Sequence, residues 1–360
     1  MSAPADVAII GGGIVGCAAA AFLAEAGAKV ELYEREVVGA AASGRNSGSV
    51  QHPFDPVMAE LHAETLRHLR ELADLDFPDA PAGVLMLAPA REHLEPAARE
   101  IGSECPELEP ELVDPADLIG LEPAVAHGMW ACRLETGYPV RPASATRAFA
   151  RRAYAAGVRF HEGETAWPWV TNGRARGVLA AGIRRAADAV FVAAGPWTPE
   201  VIDTTRSWQP IVPVWGVVAE VDMADPPRHV LEEAGVEDVA AAGNGTLFSL
   251  VAAEGEVSVG STFLADAPEP AEWAGVLRRG GERFVPSLAR AKVTGARACP
   301  RPQSFDGRPL VGELPGQEGV HVAAGHGPWG ISTGPATARV AADALLGRAE
   351  VPEPLSAARF

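Results

Sequence analysis

Several short apolar runs along the chain end at or near glycine. Residues 7–10 stop at Gly11, residues 189–195 run into a second glycine, and 319–330 contain a third run of this kind. Continuous apolar runs of this length are typical of strands buried on both faces of a parallel sheet. Another apolar run at 29–33 predicts a neighbouring strand. The pattern therefore predicts a parallel sheet built from distant parts of the chain.

Apolar residues recur at helical spacing between these runs. The stripe in residues 14–26 is closed by Gly27, which is a natural C-terminal cap for a helix. The same periodicity predicts helices at about 55–74, 144–156 and 335–346. Strands that alternate with helices indicate a layered α/β arrangement.

The pattern changes after residue 208. Residues 211–222, 246–252 and 256–262 are rich in β-branched and aromatic side chains, and a short turn at 254–255 joins the last two. Residues 82–143 predict short strands and small acidic helices. These segments predict a second, mixed and largely antiparallel sheet.

We therefore expect an α/β fold in which a Rossmann-type nucleotide-binding domain is interleaved with a mixed, largely antiparallel β-sheet substrate domain. The expected ranges are 1–80, 144–207 and 299–360 for the first domain, and 81–143 and 208–298 for the second.

Composition narrows the class of protein. The chain has 360 residues, 48% of them hydrophobic and 21% charged, which excludes a mainly disordered protein. Its net charge of −17 disfavours a nucleic-acid partner. The four cysteines form no CxxC pair, so no zinc ribbon, other metal site or disulfide framework is predicted, and a cytoplasmic location is expected. The uncharged stretch 7–24 follows Asp6 and is interrupted by glycines, so we predict no membrane segment.

A dinucleotide fingerprint occupies the N-terminus. Gly11, Gly13 and Gly16 lie between a predicted strand and helix, and Glu34 ends the next predicted strand. Gly11 permits the tight turn, Gly13 lets a pyrophosphate approach the helix N-terminus, and Gly16 allows close packing of helix and strand. Glu34 can accept hydrogen bonds from ribose hydroxyls, which predicts a bound dinucleotide.

Glu34 alone does not separate NAD from FAD. A nicotinamide-binding domain is usually one continuous block, whereas this chain leaves and re-enters its nucleotide domain twice. That organisation suits a long ligand lying across two domains, and it favours FAD.

The motifs resemble the D-amino-acid oxidase superfamily of FAD-dependent oxidoreductases, which includes glycine oxidase and sarcosine oxidase branches. The resemblance rests on Glu34-Arg35, on 42–48 (ASGRNSG), on 192–197 (VAAGPW), and on 301–309 followed by 324–331. It implies that the first domain binds FAD. The cofactor-binding residues it implies are Gly11, Gly13, Ile14, Val15, Gly16, Glu34, Arg35, Ser43, Gly44, Arg45, Asn46, Ser47, Gly48, Ala194, Gly195, Trp197, Cys299, Gly325, His326, Gly327, Gly330, Ile331 and Ser332.

The resemblance also implies a substrate site. Arg301 stands where the glycine oxidase and D-amino-acid oxidase branches place the arginine that binds the substrate carboxylate. A guanidinium suits that role because it binds a carboxylate through two hydrogen bonds. Arg45 is the second candidate, although its loop is expected to wrap the pyrophosphate. His52 and His326 are candidates to face the flavin, and Tyr138 is either a pocket wall or a core aromatic.

Cys299 leaves two readings open. Sarcosine-oxidase relatives carry a cysteine bonded to the flavin seven residues before the aspartate of this motif, and Cys299 stands seven before Asp306. That branch has a tyrosine where Arg301 stands, and Ser258 and Ser332 replace its substrate-binding and oxygen-activating lysines. Cys299 is therefore either linked to FAD or an unmodified buried thiol.

The expected enzyme is an FAD-dependent amine or amino-acid oxidase or dehydrogenase. It would oxidise the C–N bond of a D-amino acid, glycine or an N-methyl amino acid by hydride transfer to flavin N5, giving an imine that hydrolyses. The alternatives are a 2-hydroxy-acid oxidase or dehydrogenase, or the flavoprotein subunit of a hetero-oligomeric amine dehydrogenase. The electron acceptor is either O2 or another acceptor, and the sequence predicts no oligomeric state.

Overall fold

The computed structural model describes residues 5–203, 205, 207–235 and 244–360. The strands in these ranges are β1 (Ala5–Ile10), β2 (Val30–Glu34), β3 (Ser49–Val50), β4 (Val84–Ala88), β5 (Glu111–Val113), β6 (Trp130–Leu134), β7 (Tyr138–Pro139), β8 (Arg159–Glu162), β9 (Ala166–Thr171), β10 (Arg174–Ala180), β11 (Ile183–Val192), β12 (Ile211–Asp222), β13 (Val230–Glu233), β14 (Asn244–Ala253), β15 (Glu256–Leu264), β16 (Lys292–Ser304), β17 (Leu310–Glu313) and β18 (Val320–Ala324).

The α-helices in the same ranges are α1 (Ile14–Glu25), α2 (Ala42–Arg45), α3 (Pro56–Arg70), α4 (Glu95–Glu104), α5 (Pro115–Leu121), α6 (Ser144–Ala155), α7 (Thr198–Ile202), α8 (Pro270–Gly281) and α9 (Gly330–Leu345). No helix in the described ranges is long and apolar enough to cross a bilayer.

The first sheet has the order β17-β18-β11-β1-β2-β8 and is parallel except at β17. Val7 and Ile9 of β1 pack with α1, α3, α6 and α9, while Ala8 and Ile10 pack against the antiparallel ribbon β9-β10 on the other face. Both faces are thus buried, which explains why these strands are continuous apolar runs rather than alternating ones.

The second sheet has the order β16-β12-β15-β14-β13-β4-β6-β5, and all its pairs are antiparallel except β13 with β4. Helix α8 covers one face, where Leu277 packs near Val217, Val259 and Leu250. The opposite face of β12 to β16 turns toward the first sheet. The predicted combination of a Rossmann-type sheet with a mixed, largely antiparallel one is confirmed.

Some predicted boundaries differ from the structure. The last helix begins at Gly330 rather than near residue 335, and Pro335 lies inside it. A proline is expected at a helix start, and in the second turn its missing N–H costs one helical hydrogen bond. Helix α3 begins at Pro56 because the Asp55 carboxylate caps it, accepting a hydrogen bond from the Val57 N–H at 2.7 Å.

One predicted domain boundary falls inside a strand. β16 pairs with β12 along nearly its whole length, including Cys299 with Gly216 and Arg301 with Val214. The predicted break between residues 298 and 299 falls inside this strand, in which Cys299 and Arg301 pair within the second sheet. The predicted domain ranges stay a prediction.

Candidate active site

A long cleft separates the two sheets. It begins beyond the carboxyl ends of β1 and β11, where ligands bind in open α/β sheets, and continues across the facing side of β12 to β16. Its cavity volume is about 390 Å³, within the range of small-molecule sites. Both sheets therefore contribute walls to one binding site.

The glycine loop after β1 fits a phosphate group. Gly11 has φ of +112°, and a Cβ there would lie 2.3 Å from the Ala193 carbonyl oxygen. A Cβ at Gly16 would lie 1.9 Å from the Gly11 carbonyl oxygen. Helix α1 has no side-chain cap and no acidic residue in its first turn, so its N-terminus remains suited to an anion.

Glu34 lies at the end of the cleft that suits a nucleoside. Its Oε2 accepts a hydrogen bond from the Gly12 N–H at 2.7 Å, and its Oε1 accepts one from the Glu36 N–H at 2.9 Å. These bonds fix the carboxylate at the cleft wall, where it can accept hydrogen bonds from ribose hydroxyls. The Arg35 guanidinium lies 3.7 Å from the centre of the Trp197 ring and closes this end with a cation–π contact.

The loop 42–48 joins the two walls. Ser43 Oγ accepts a hydrogen bond from the Ile14 N–H at 3.0 Å, which fixes the loop to the start of α1. On the other side, Arg45 Nη1 donates to the Ala298 carbonyl at 3.3 Å, and Arg297 Nη2 donates to the Asn46 carbonyl at 3.0 Å. The loop is therefore held between the glycine loop and β16.

Most predicted cofactor residues line this cleft. They are Gly11, Gly13, Ile14, Val15, Glu34, Arg35, Ser43, Arg45, Asn46, Ser47, Ala194, Gly195, Trp197, Cys299, His326, Gly327, Gly330 and Ile331. Five others lie behind the wall and shape it: Gly16, Gly44, Gly48, Gly325 and Ser332. A Cβ at Gly44 would lie 2.1 Å from the Gly39 carbonyl oxygen, for example. The backbone N–H groups at the start of α1 and the close backbone contacts that Gly11 and Gly16 permit fit the pyrophosphate of FAD.

Arg301 lies on the substrate-sheet side of the cleft. Its guanidinium packs directly over Gly216, donates to the Thr262 carbonyl at 2.9 Å and to Ser261 Oγ, and lies 4.6 Å from the centre of the Phe263 ring. These partners are all neutral, and Arg301 forms no ion pair with any residue in the described ranges. Burial lowers its pKa. An enclosed cation held by neutral groups is suited to an anionic ligand.

His326 lines the cleft, but its side chain is hydrogen-bonded within the protein. Its Nε2 lies 2.7 Å from Thr337 Oγ1, and the Thr337 hydroxyl donates its own proton to the Gly334 carbonyl at 2.9 Å. Nε2 must therefore carry the proton and donate. Burial lowers the pKa of His326 to about 4, so the ring is neutral at pH 7. It holds the turn into α9.

His52 and Tyr138 do not belong to the cleft walls formed by the described residues. His52 Nδ1 accepts a hydrogen bond from the Phe54 N–H at 3.1 Å, and its Nε2 lies 3.2 Å from Glu107 Oε1. The Tyr138 ring stacks on Phe77 with centroids 5.3 Å apart. Neither side chain lines the cleft in the described part of the chain, and their role at the flavin stays a prediction.

The Cys299 thiol is buried in the cleft wall. Its Sγ lies 3.8 Å from the Arg45 carbonyl oxygen. Burial raises its pKa, although the charges of Arg301, Arg45 and Arg297 act in the opposite direction. The thiol is placed at the cofactor cleft, and both interpretations, a bond to the flavin and an unmodified thiol, stay open to experiment.

Sequence reasoning missed several polar residues of the cleft, among them one buried acid and its amide partner. Glu232 on β13 and Gln51 after β3 both line it, and Gln51 Nε2 donates to Glu232 Oε2 at 3.0 Å. The alternation in residues 230–233 could have placed Glu232 on one face of a strand. Which face meets the cleft depends on strand pairing, which the local pattern does not contain.

Comparison with known proteins identifies the family. Residues 6–344 match the DAO family, described as FAD dependent oxidoreductase. The chain belongs to this family. The predicted resemblance, the enzyme class and the FAD cofactor are therefore confirmed.

Two relatives and one solved structure illustrate the likeness. Glycine oxidase of Bacillus licheniformis is 25% identical, over 95% of this chain and 93% of its own length. D-amino acid dehydrogenase of Cereibacter sphaeroides is 30% identical, over 81% of this chain and 67% of its own. The crystal structure of glycine oxidase from Geobacillus kaustophilus matches with a TM-score of 0.84 and 23% identity, covering 99% of both chains.

Proposed function

We propose that this DAO-family enzyme oxidises the C–N bond of a carboxylated amino acid or secondary amine to an imine, which water then hydrolyses. The observation that carries the proposal is Arg301, a guanidinium in the wall of the FAD cleft whose partners among the described residues are all neutral. Relatives named glycine oxidase and D-amino acid dehydrogenase support the same reaction class. FAD, when bound, accepts the hydride of the substrate C–H bond at its N5.

The protein's contribution is to bind and orient the substrate. Arg301 would hold the carboxylate through two hydrogen bonds and fix the direction of the adjacent C–H bond. Gly216 leaves room for the guanidinium in this position, because a Cβ there would lie 2.3 Å from Arg301 Nη2 and would displace it. The apolar side chains of Phe263 and Val218, also in the wall, limit the access of water to the reacting bond.

Replacing Arg301 tests the role of the anchor. Arg301→Ala should lower kcat/KM for a carboxylated substrate roughly a hundred- to a few-thousand-fold, because a charge-assisted pair is lost. Arg301→Lys should recover only part of the loss, since an ammonium lacks the planar fork. FAD content, measured by absorbance, should not change.

Two controls make the Arg301 result specific. The decarboxylated amine of the same skeleton should react slowly and almost equally in both enzymes. Arg279→Ala, which removes an exposed arginine of α8 on the far side of the second sheet, should leave kcat/KM unchanged. Equal losses with the amine and the amino acid would show that Arg301 is structural.

The substrate class is open to a direct experiment. Anaerobic mixing with D-amino acids, N-methyl amino acids and 2-hydroxy acids identifies which compound bleaches the flavin. Bleaching by a 2-hydroxy acid alone would favour the alternative reaction, in which Arg301 could bind the same carboxylate. Reoxidation by O2 or by a dye then separates an oxidase from a dehydrogenase, and a requirement for a second polypeptide would indicate a hetero-oligomeric enzyme.

We also propose a cytoplasmic location. All four cysteines are free thiols, which suits a reducing compartment. Fractionation of cells that express the protein tests this location.

A further inference from the structure

The cleft contains a carboxyl group as well as Arg301. Glu232 lies on β13, directly opposite Ser249 of β14, which in turn lies opposite Gly260 of β15. Leu231, its neighbour along the strand, packs into the core beneath α8. Because side chains alternate along a strand, Glu232 points to the opposite face, and it lines the cleft there.

Glu232 has a neutral partner and no cationic one among the described residues. Its Oε2 accepts a hydrogen bond from Gln51 Nε2 at 3.0 Å, and burial raises its pKa. The adjacent Glu233 behaves differently, since it forms an ion pair with Arg283. A carboxyl group kept in a cleft wall without a protein cation is costly to ionise unless a ligand supplies one.

The two charged groups lie over different strands of the sheet face that lines the cleft. The Arg301 guanidinium contacts Ser261 and Thr262 of β15, and Glu232 lies two strands further along the sheet. Neighbouring strands are about 5 Å apart, so two to three strand spacings separate the strands beneath the two charged groups by roughly 10 to 14 Å. The wall between these groups includes Val218 and Leu247, which suit a hydrocarbon chain.

We propose that Glu232, held by Gln51, binds a positively charged group at the far end of the substrate. This proposal rests on the proposed function, with the substrate carboxylate at Arg301. It specifies the substrate class as an amino acid whose side chain ends in an amino or guanidino group. The hydrocarbon part of that side chain lies along the apolar wall.

Kinetics with matched substrates test the role of Glu232. Wild-type enzyme should oxidise lysine, ornithine or arginine of the accepted configuration with a higher kcat/KM than norleucine, which has the side chain of lysine without its amino group. Glu232→Gln keeps the shape of the side chain and should lower kcat/KM for the basic amino acid about 10- to 100-fold, with less than about a threefold change for norleucine. Glu233→Gln, on the other face of the strand, should change neither.

Binding without turnover separates this proposal from the proposed function. The probes are 5-aminopentanoate and pentanoate, measured by the absorbance change of the oxidised flavin. We expect 5-aminopentanoate to bind at least about tenfold more tightly than pentanoate in the wild type, and equally in Glu232→Gln. Equal binding in the wild type would overturn the role of Glu232, whichever compound is oxidised. A charge preference without oxidation of any amine would overturn the reaction and retain the binding group.

Discussion

At the scale of single residues, Cys299 shows how an environment decides reactivity. A thiol bonds to the flavin only through its thiolate form. Burial disfavours that form more strongly than the three nearby arginines favour it, so the pKa of Cys299 is raised. The position in the cleft permits a bond to FAD, while the electrostatics favour the unmodified thiol.

We therefore expect acid precipitation to release FAD. After trichloroacetic acid treatment, the yellow colour should be in the supernatant for the wild type, for Cys299→Ser and for the control Cys132→Ser, whose thiol is buried in the second sheet. Colour in the wild-type pellet that disappears only with Cys299→Ser would instead establish the covalent link.

At the scale of elements, β16 connects the cofactor and substrate sides of the cleft. Arg297 on this strand is largely buried and donates to Asn46 O at 3.0 Å, while its Nη1 lies 2.5 Å from Glu220 Oε1 and 3.1 Å from Glu256 Oε1. The acids fix the guanidinium, and the guanidinium fixes the loop 42–48. The role of Arg297 is therefore to position the loop 42–48.

Replacing Arg297 should weaken FAD binding. We expect Arg297→Met to raise the Kd of FAD about tenfold, because the loop 42–48 loses two hydrogen bonds to β16. At saturating FAD, kcat should stay within about twofold of the wild type. The measurement is titration of the apoprotein with FAD, and Arg133→Met, on β6 away from the loop, is the control. A large fall in kcat with unchanged FAD affinity would contradict the positioning role.

The same strand shows where sequence patterns fail. Pro300 and Pro302 argue against a strand, since proline removes a ladder hydrogen bond. β16 tolerates them because, among the described residues, it is the edge strand of the second sheet and has β12 as its neighbour there, apart from one isolated bridge between Gln303 and His326. The neighbouring 211–222 strand was predicted with its observed bounds although it contains Pro213, because valine and isoleucine dominate its local pattern.

At the scale of the whole molecule, some residues of the site are close together in the sequence, whereas others meet only through the fold. The glycine fingerprint and Glu34 lie within the 24 residues 11–34, and the motif alone predicted the end of the cleft that they line. Glu232 and Gln51 are 181 positions apart and meet only through the arrangement of the two sheets. Such contacts have no local signature, which explains why the substrate end was predicted less completely than the cofactor end.

Acid sensitivity is a further property of the whole fold. Burial lowers the pKa of His62 to about 4, and the pKa values of His52, His68 and His321 are also lowered by burial. A histidine in the unfolded chain has a pKa near 6.5. Between these values the unfolded chain binds protons that the folded chain does not, so the free energy of unfolding should fall as pH decreases from about 6.5 to 4.

His62 provides the test of this mechanism. Its shift from 6.5 to about 4 corresponds to roughly 3 kcal/mol of lost stability at pH 4. His62→Asn cannot take up the proton, so its Tm, measured with excess FAD, should fall less steeply than that of the wild type between pH 6.5 and 4. His93→Asn, which replaces an exposed ring, should follow the wild-type curve. If both variants lose stability in parallel with the wild type, the acid sensitivity arises from groups other than His62.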